Sequence, residues 1–216
     1  LSSTFLALEG EGGCVMQLLL ATDFSPQRKK VLKVARRLAQ ALGAKLWILH
    51  VATQPAFKTY GVGERQDRLE TAAELREEHR LVQEAAQSMR DSGIQATGLM
   101  VPGPPAKAIV GEAARLDADL IILGSHGFGA VFKMLLGSVS SAVLRKSGRP
   151  VLIVPPADAW TPRRADRAAI GWNDSVEASR ALCMTLPWLT QMSKVTVLVC
   201  KKREESAGDV VDYLKW

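Results

Sequence analysis

The residues best suited to do chemistry are small ones that follow a short apolar run beyond the middle of the chain. Residues 120–123 are apolar, and the sequence then reads GSHGFG, with Gly-Ser-Val-Ser further on at residues 137–140. Glycines let backbone N–H groups approach an anion closely, and a helix N-terminus adds unpaired donors and a positive dipole end. A strand, a glycine loop and a hydroxyl-rich helix start therefore predict a phosphate-binding site.

The spacing of the glycines separates this segment from the common nucleotide motifs. Gly124 and Gly127 form a G-x-x-G pair, the nine residues 128–136 follow, and Gly137 with Ser138 completes the pattern. The order is neither the dinucleotide fingerprint G-x-G-x-x-G nor a P-loop. It resembles the universal stress protein family, whose ATP-binding members carry G-x-x-G, nine residues and then G-[ST]. The alternative interpretation is a tight strand-to-helix turn with no ligand.

The elements that must position this segment alternate along the chain. Apolar runs predict strands at residues 16–21, 45–52, 94–101, 120–123 and 150–154. Helical spacing predicts helices at residues 26–42, 67–92, 106–116 and from 138 onward, with a long loop at 54–66. This alternation predicts an α/β fold, a Rossmann-like five-stranded parallel sheet with helices on both faces. The end of the first strand and the Gly124 loop are then expected in one crevice, where the strand order reverses.

The pattern of the first strand and helix restarts near residue 167. Strands are predicted at 167–172 and 194–200, and helices at 176–186 and from 209 onward. Asp23 and Ser25 align with Asn173 and Ser175, an internal repeat with a period of about 150 residues. The predicted organisation is an extension outside the fold (1–15), a nucleotide-binding domain (16–156), a linker (157–166) and the front part of a second copy (167–216). Because that copy has no glycine loop, we expect an incomplete second site. Because it stops after two strands, we expect a piece of a longer tandem protein.

Composition argues against several classes of partner. The formal net charge is +6, but basic residues are interleaved with acidic ones, which favours a solvated surface over a nucleic-acid site. No apolar run approaches the roughly 18 residues of a membrane span. The three cysteines (Cys14, Cys183 and Cys200) include no C-x-x-C pair and predict a cytoplasmic protein.

The histidines show no metal-binding spacing. His50 lies on a predicted buried strand and is interpreted as a core histidine with its hydrogen bonds satisfied. His126, beside the glycines, is interpreted as a loop residue rather than a catalytic base. We therefore predict no catalytic residue from the sequence.

The resemblance to the universal stress proteins covers residues 16–155 as a full domain and the start of a second. It implies ATP, or another adenine nucleotide, as the ligand and Mg²⁺ as its companion. The nucleotide-binding residues that it implies are Ala21, Thr22, Asp23, Val51, Leu123, Gly124, Gly127, Gly137, Ser138, Val139 and Ser140. Asp23 would help to place the metal or a ribose hydroxyl, Val51 would line the adenine pocket, and Lys133 could reach phosphate oxygens. The alternatives are that Asp23 is only a turn residue and that Ser138 and Ser140 are only helix caps.

The function implied is that of a nucleotide-dependent stress-response module with little or no hydrolysis. The resemblance also implies pairing of domains through the last strand, either in a homodimer or between two copies in one chain. Two alternatives stay open: an enzyme that attacks the α-phosphate of adenine nucleotides, and an interaction or dimerisation module of this fold without a nucleotide.

Overall fold

A computed structural model describes residues 15–25, 28–53, 64–125, 136–155, 167–190, 192–199 and 204–214. The chain divides into two compact units between residues 156 and 157. Several predictions lie outside the described residues: the extension at 1–14, the loop at 54–63, the linker at 157–166, Gly127, His126 and Lys133.

The first unit alternates strands and helices around one parallel sheet. Its elements are β1 (Gln17–Thr22), α1 (Arg28–Leu42), β2 (Lys45–Ala52), α2 (Glu64–Arg90), β3 (Ala96–Pro102), α3 (Pro105–Arg115), β4 (Leu120–Gly124), α4 (Ser138–Lys146) and β5 (Val151–Val154). The strand order is β3-β2-β1-β4-β5 and neighbouring strands run parallel. The predicted α/β fold with a five-stranded parallel sheet is confirmed.

Helices cover both faces of this sheet, which is why consecutive residues in the middle of its central strands are apolar. Leu18 and Leu20 belong to a buried cluster with α1 and α2. Leu19, between them, belongs to a second cluster with α3 and α4. All three leucines are fully buried, and each burial contributes about 1.5–3 kcal/mol to folding.

The packing of α2 on β3 depends on a glycine. A Cβ added to Gly98 would lie 2.8 Å from Cγ1 of Val82 and 3.1 Å from the Val82 carbonyl oxygen. Val82 is fully buried on α2. The absence of a side chain at residue 98 therefore lets the helix backbone approach the strand.

Three boundaries differ from the sequence prediction by three or more residues. Helix α2 begins at Glu64, so residues 64–66, predicted as loop, are helical; these polar residues carry no apolar periodicity that could have indicated a helix. The helix predicted to stop at residue 186 continues through Pro187, and the Thr190 N–H still donates to the Leu186 carbonyl at 3.1 Å. The last helix begins at Glu204 rather than residue 209, because two acidic residues suit a first turn.

The second unit contains β6 (Arg167–Trp172), α5 (Val176–Leu189), β7 (Lys194–Val199) and α6 (Glu204–Tyr213). Strands β6 and β7 pair in parallel, and burial alternates along both of them. The inward residues pack on a small cluster formed by Leu182, Leu189 and Val210. In the described residues of this unit, the helices thus cover one face of a two-stranded sheet.

Candidate functional site

The topology of the sheet defines where a crevice lies. Strand β1 has β2 on one side and β4 on the other. From β1 the chain runs outward through β2 and β3, and then returns to β4 on the opposite side. The helices after β1 and β4 consequently lie on different faces of the sheet, α1 on one and α4 on the other. In open α/β sheets, ligands bind at the carboxyl ends of the strands at such a reversal.

A tight turn follows β1 at this point. Asp23 Oδ1 accepts a hydrogen bond from the Ser25 N–H at 3.0 Å, and Thr22 Oγ1 accepts one from the Phe24 N–H at 3.3 Å. Phe24 has φ +58°, in the left-handed region that is costly for a bulky residue. The buried Ser25 then accepts the Arg28 N–H through its carbonyl at 2.9 Å, at the start of α1. Asp23 thus forms the turn, with its side chain exposed at the carboxyl edge of the sheet.

The end of β4 is bonded directly to the segment that begins α4. The Ser125 N–H donates to the Val154 carbonyl at 2.9 Å, and the Gly137 N–H donates to the Ser125 carbonyl at 2.7 Å. Gly137 is the N-cap of α4 and has no side chain with which to cap it. Because the first N–H groups of a helix have no partner within the helix, the first turn of α4 presents donors beside the end of β4.

The Ser140 hydroxyl makes a hydrogen bond within the fold. It is buried and donates to the Gly124 carbonyl at 2.8 Å. While the hydroxyl donates its proton to Gly124, the group that Ser140 can offer to an anion is its backbone N–H. Ser138 is exposed and Val139 half-buried in the same turn.

Three of the predicted nucleoside contacts share one apolar cluster. Ala21, Val51 and Leu123 come from β1, β2 and β4, and all three are buried on the face that α3 and α4 cover. Gly124 follows Leu123 and is half-buried. The structure therefore brings these residues together at neighbouring strand ends, with Thr22 and Asp23 beside them. Gly127 lies outside the described residues.

His50 is the residue whose interpretation changes most. It is buried near the end of β2, and its Nδ1 lies 2.9 Å from the Thr22 carbonyl oxygen. Its Nε2 is the one buried side-chain polar atom, among the described residues, that makes no hydrogen bond. The Glu78 carboxylate is 3.4 Å from Nε2, within ion-pair range but long for a hydrogen bond. The prediction of a core histidine with its hydrogen bonds satisfied is wrong for Nε2. The sequence signal for such a site is a polar residue near the end of an apolar strand.

Within the described ranges, no group of three or more His, Cys, Asp or Glu side chains could hold a metal ion. None of the described helices is long and apolar enough to cross a membrane.

Comparison with known proteins identifies the family. The profile of the Universal stress protein family matches residues 15–155. The chain belongs to this family. A universal stress protein of Thermus aquaticus is 36% identical over 138 residues, which is 63% of this chain and 96% of that protein. Universal stress protein MJ0577 of Methanocaldococcus jannaschii is 30% identical over 153 residues, 64% of this chain and 93% of its own.

A solved structure supports the same assignment for this universal stress protein. The structure reported for MJ0577 as a structure-based assignment of biochemical function superposes with a TM-score of 0.57. The two chains are 29% identical there, and the match covers 66% of this chain and 97% of the other. The matched family domain is the first unit, which holds the candidate site.

The second unit of this universal stress protein repeats the turn after β1, but does not repeat Asp23 and His50. The Ser175 N–H donates to Asn173 Oδ1 at 3.2 Å, and Asp174 has φ +60°. In the parallel registers, Thr22 is opposite His50, whereas Trp172 is opposite Val199. The second turn therefore forms without the acid of the first and without a histidine at the corresponding position.

Proposed function

We propose that this universal stress protein binds ATP, accompanied by Mg²⁺, at the carboxyl ends of β1 and β4. The observation that carries the proposal is the bond from the Gly137 N–H to the Ser125 carbonyl, at 2.7 Å. This bond sets the start of α4 beside the end of β4, and β4 is the neighbour of β1, which leads into the turn that contains Asp23. A helix start, a strand end and a carboxylate then lie around one crevice.

The parts of the site match the parts of the ligand. The buried apolar residues Ala21, Val51 and Leu123 offer a wall for the adenine ring. The donors of the first turn of α4 suit the phosphates. The exposed carboxylate of Asp23 suits Mg²⁺, which is usually held by one or two carboxylates together with phosphate oxygens.

We propose regulation rather than rapid turnover as the role of the bound nucleotide. Phosphoryl transfer requires positioned metals and charged groups in addition to a phosphate cradle. The described residues offer a cradle and one carboxylate at its edge. The nucleotide would therefore act as a signal that the protein carries into a stress response, in the cytoplasm that the cysteine content predicts.

We also propose that domains pair through β5, in a homodimer or between two copies in a longer tandem chain. Strand β5 is at the edge of the sheet, and Val151, Leu152 and Ile153 are half-buried there. An apolar edge strand is a template for pairing with another strand. Sedimentation of wild type and Leu152→Lys tests this: the wild type is expected to sediment as a dimer and the variant as a monomer. A monomeric wild type would remove the homodimer.

Calorimetric titration with Mg²⁺-ATP tests the nucleotide site. The wild type is expected to bind with micromolar affinity, about −8 kcal/mol. Gly137→Val places a branched side chain at the start of α4 and is expected to abolish binding. Gly111→Val is the matched control, because Gly111 is exposed on α3 and an added Cβ there meets nothing within 4 Å.

The same titration separates the alternatives. A folded wild type that binds no nucleotide would leave a module that uses the fold only for interaction. Chromatography of the nucleotide after long incubation tests turnover. Rapid formation of AMP would favour an enzyme that attacks the α-phosphate, whereas intact ATP is the result expected of a regulatory module.

A further inference from the structure

His50 lies near the carboxyl edge of the sheet, where residues of β2 point alternately to its two faces. Its neighbours two and four residues earlier on β2, Ile48 and Leu46, belong to the cluster under α1 and α2. Val51, one residue later, belongs to the cluster under α3 and α4, where the nucleotide is proposed to bind. The His50 ring thus lies on the opposite face of the sheet from the adenine wall, yet it reaches the end of β1.

The hydrogen bond of His50 Nδ1 restrains the end of β1. The Thr22 carbonyl oxygen, 2.9 Å away, can only accept, so Nδ1 must carry a proton. The Thr22 carbonyl and the Asp23 N–H share one planar peptide group. Thr22 is paired with β2 in the parallel ladder, which already restrains this peptide. The Nδ1 donor adds a second restraint on the same carbonyl, and therefore on the orientation of the Asp23 N–H and the entry of the chain into the turn.

The surroundings hold the ring in this orientation although they leave Nε2 unsatisfied. Phe24 packs against the imidazole, with ring centroids 4.6 Å apart. It does so from a left-handed backbone conformation that costs roughly 1–2 kcal/mol. The Glu78 carboxylate on α2 faces Nε2 at 3.4 Å and accepts no proper hydrogen bond from it. If residue 50 served only for packing, an apolar side chain would stabilise the fold more, because it would leave no buried nitrogen without a hydrogen bond.

The second unit has such an apolar side chain. There Val199 lies opposite the end of β6, at the position that His50 has in the first unit. The corresponding turn still forms, with the Ser175 N–H donating to Asn173 Oδ1. The turn itself does not require a histidine. What the first unit has in addition, at the positions that correspond, is His50 together with Asp23.

We propose that His50 is a positioning residue for the nucleotide: its Nδ1–H holds the Thr22–Asp23 peptide in the orientation that binding requires. This inference rests on the proposed function, because it assigns a task at the same site. It predicts that the loss of the Nδ1 donor lowers nucleotide affinity and that restoring a donor at that point recovers it.

The test compares Mg²⁺-ATP affinity among variants at residue 50. His50→Leu is expected to weaken binding about tenfold, the change that about 1.4 kcal/mol produces. His50→Asn, whose amide can donate from the place of Nδ1, is expected to remain within about threefold of wild type. His79→Leu is the matched control, since His79 is exposed on α2 next to Glu78, and it is expected to bind like wild type. Circular dichroism establishes that each variant is folded.

Two further results make the outcome decisive. Heteronuclear NMR of the ring nitrogens in the wild type is expected to show a proton on Nδ1 of His50; a proton on Nε2 alone would overturn the inference without any variant. If His50→Leu does not fold, His50→Asn is compared with His50→Gln, which places its amide near Nε2, and equal affinities would overturn the inference.

No ATP binding by the wild type overturns the proposed function and the role of His50 with it. Equal binding by wild type and His50→Leu overturns the role alone.

Discussion

Replacement of Ser140 by alanine would separate a structural from a ligand-binding role for its hydroxyl. The hydroxyl is buried and donates to the Gly124 carbonyl at 2.8 Å. The loss of a hydrogen bond costs about 0.5–1.5 kcal/mol, and a carbonyl left without its donor brings the loss toward 1–3 kcal/mol. Alanine returns about 0.5 kcal/mol through its higher helix propensity. Ser140→Ala should therefore lower the free energy of unfolding by about 1–2 kcal/mol, measured by urea denaturation.

Ser141→Ala is the control, because it makes the same change one residue further along the same helix. Ser141 is half-buried and its N–H bonds to the Gly137 carbonyl at 2.9 Å, an interaction that alanine keeps. Its stability should stay the same or rise by about 0.5 kcal/mol. If Ser140→Ala keeps full stability but loses ATP binding, the hydroxyl serves the phosphate directly and the reasoning from the Gly124 contact is refuted.

Two further predictions concern the packing and charge of α2. Gly98→Ala should destabilise the first unit by about 1–3 kcal/mol through overpacking against Val82, whereas Gly111→Ala, where an added Cβ meets nothing within 4 Å, should be neutral or stabilising; equal midpoints of urea denaturation for the two variants would contradict the close approach. The hydrogen bond from Arg80 lowers the pKa of Glu77 below its usual 4.5. A lowered pKa means that Glu77 stabilises the fold above its unfolded pKa and loses this contribution as pH falls through the lower folded value. Because Glu77 is exposed, the effect should be small, absent in Glu77→Gln and removed by about 1 M salt; thermal melts at several pH values measure it, and a dependence that salt leaves unchanged would contradict this account.

The sheet could be predicted from the sequence because its strands are apolar runs that parallel pairing requires. Strand β2 was predicted with the bounds that the structure gives, and β6 likewise. The alternation of strands and helices predicts that Asp23 and Gly124 follow strands that end at the same edge of the sheet, because the strands are parallel. That β1 and β4 are neighbours in the sheet is known from the structure. Local pattern and global topology agree in this part of the chain.

What the sequence could not give were contacts between atoms of distant segments. The Ser140 hydroxyl had two plausible acceptors, a phosphate and a strand carbonyl, and the contact with the Gly124 carbonyl is seen only in the structure. The close approach of α2 at Gly98 needs a residue 16 positions earlier, Val82, which no periodicity connects to it. The orientation of His50 depends likewise on Thr22 and Glu78, on two other elements.

The repeated turn after β1 and β6 has a practical consequence. The same turn, in which one residue has a left-handed backbone conformation, occurs twice in a single polypeptide. That residue is Phe24 in the first turn and Asp174 in the second. The same turn conformation therefore forms with different side chains. Its backbone strain can be studied separately from the binding role of the side chains that it carries. An engineer could exchange Asp23 and His50 with their counterparts Asn173 and Val199, and read each exchange against the untouched turn in the same molecule.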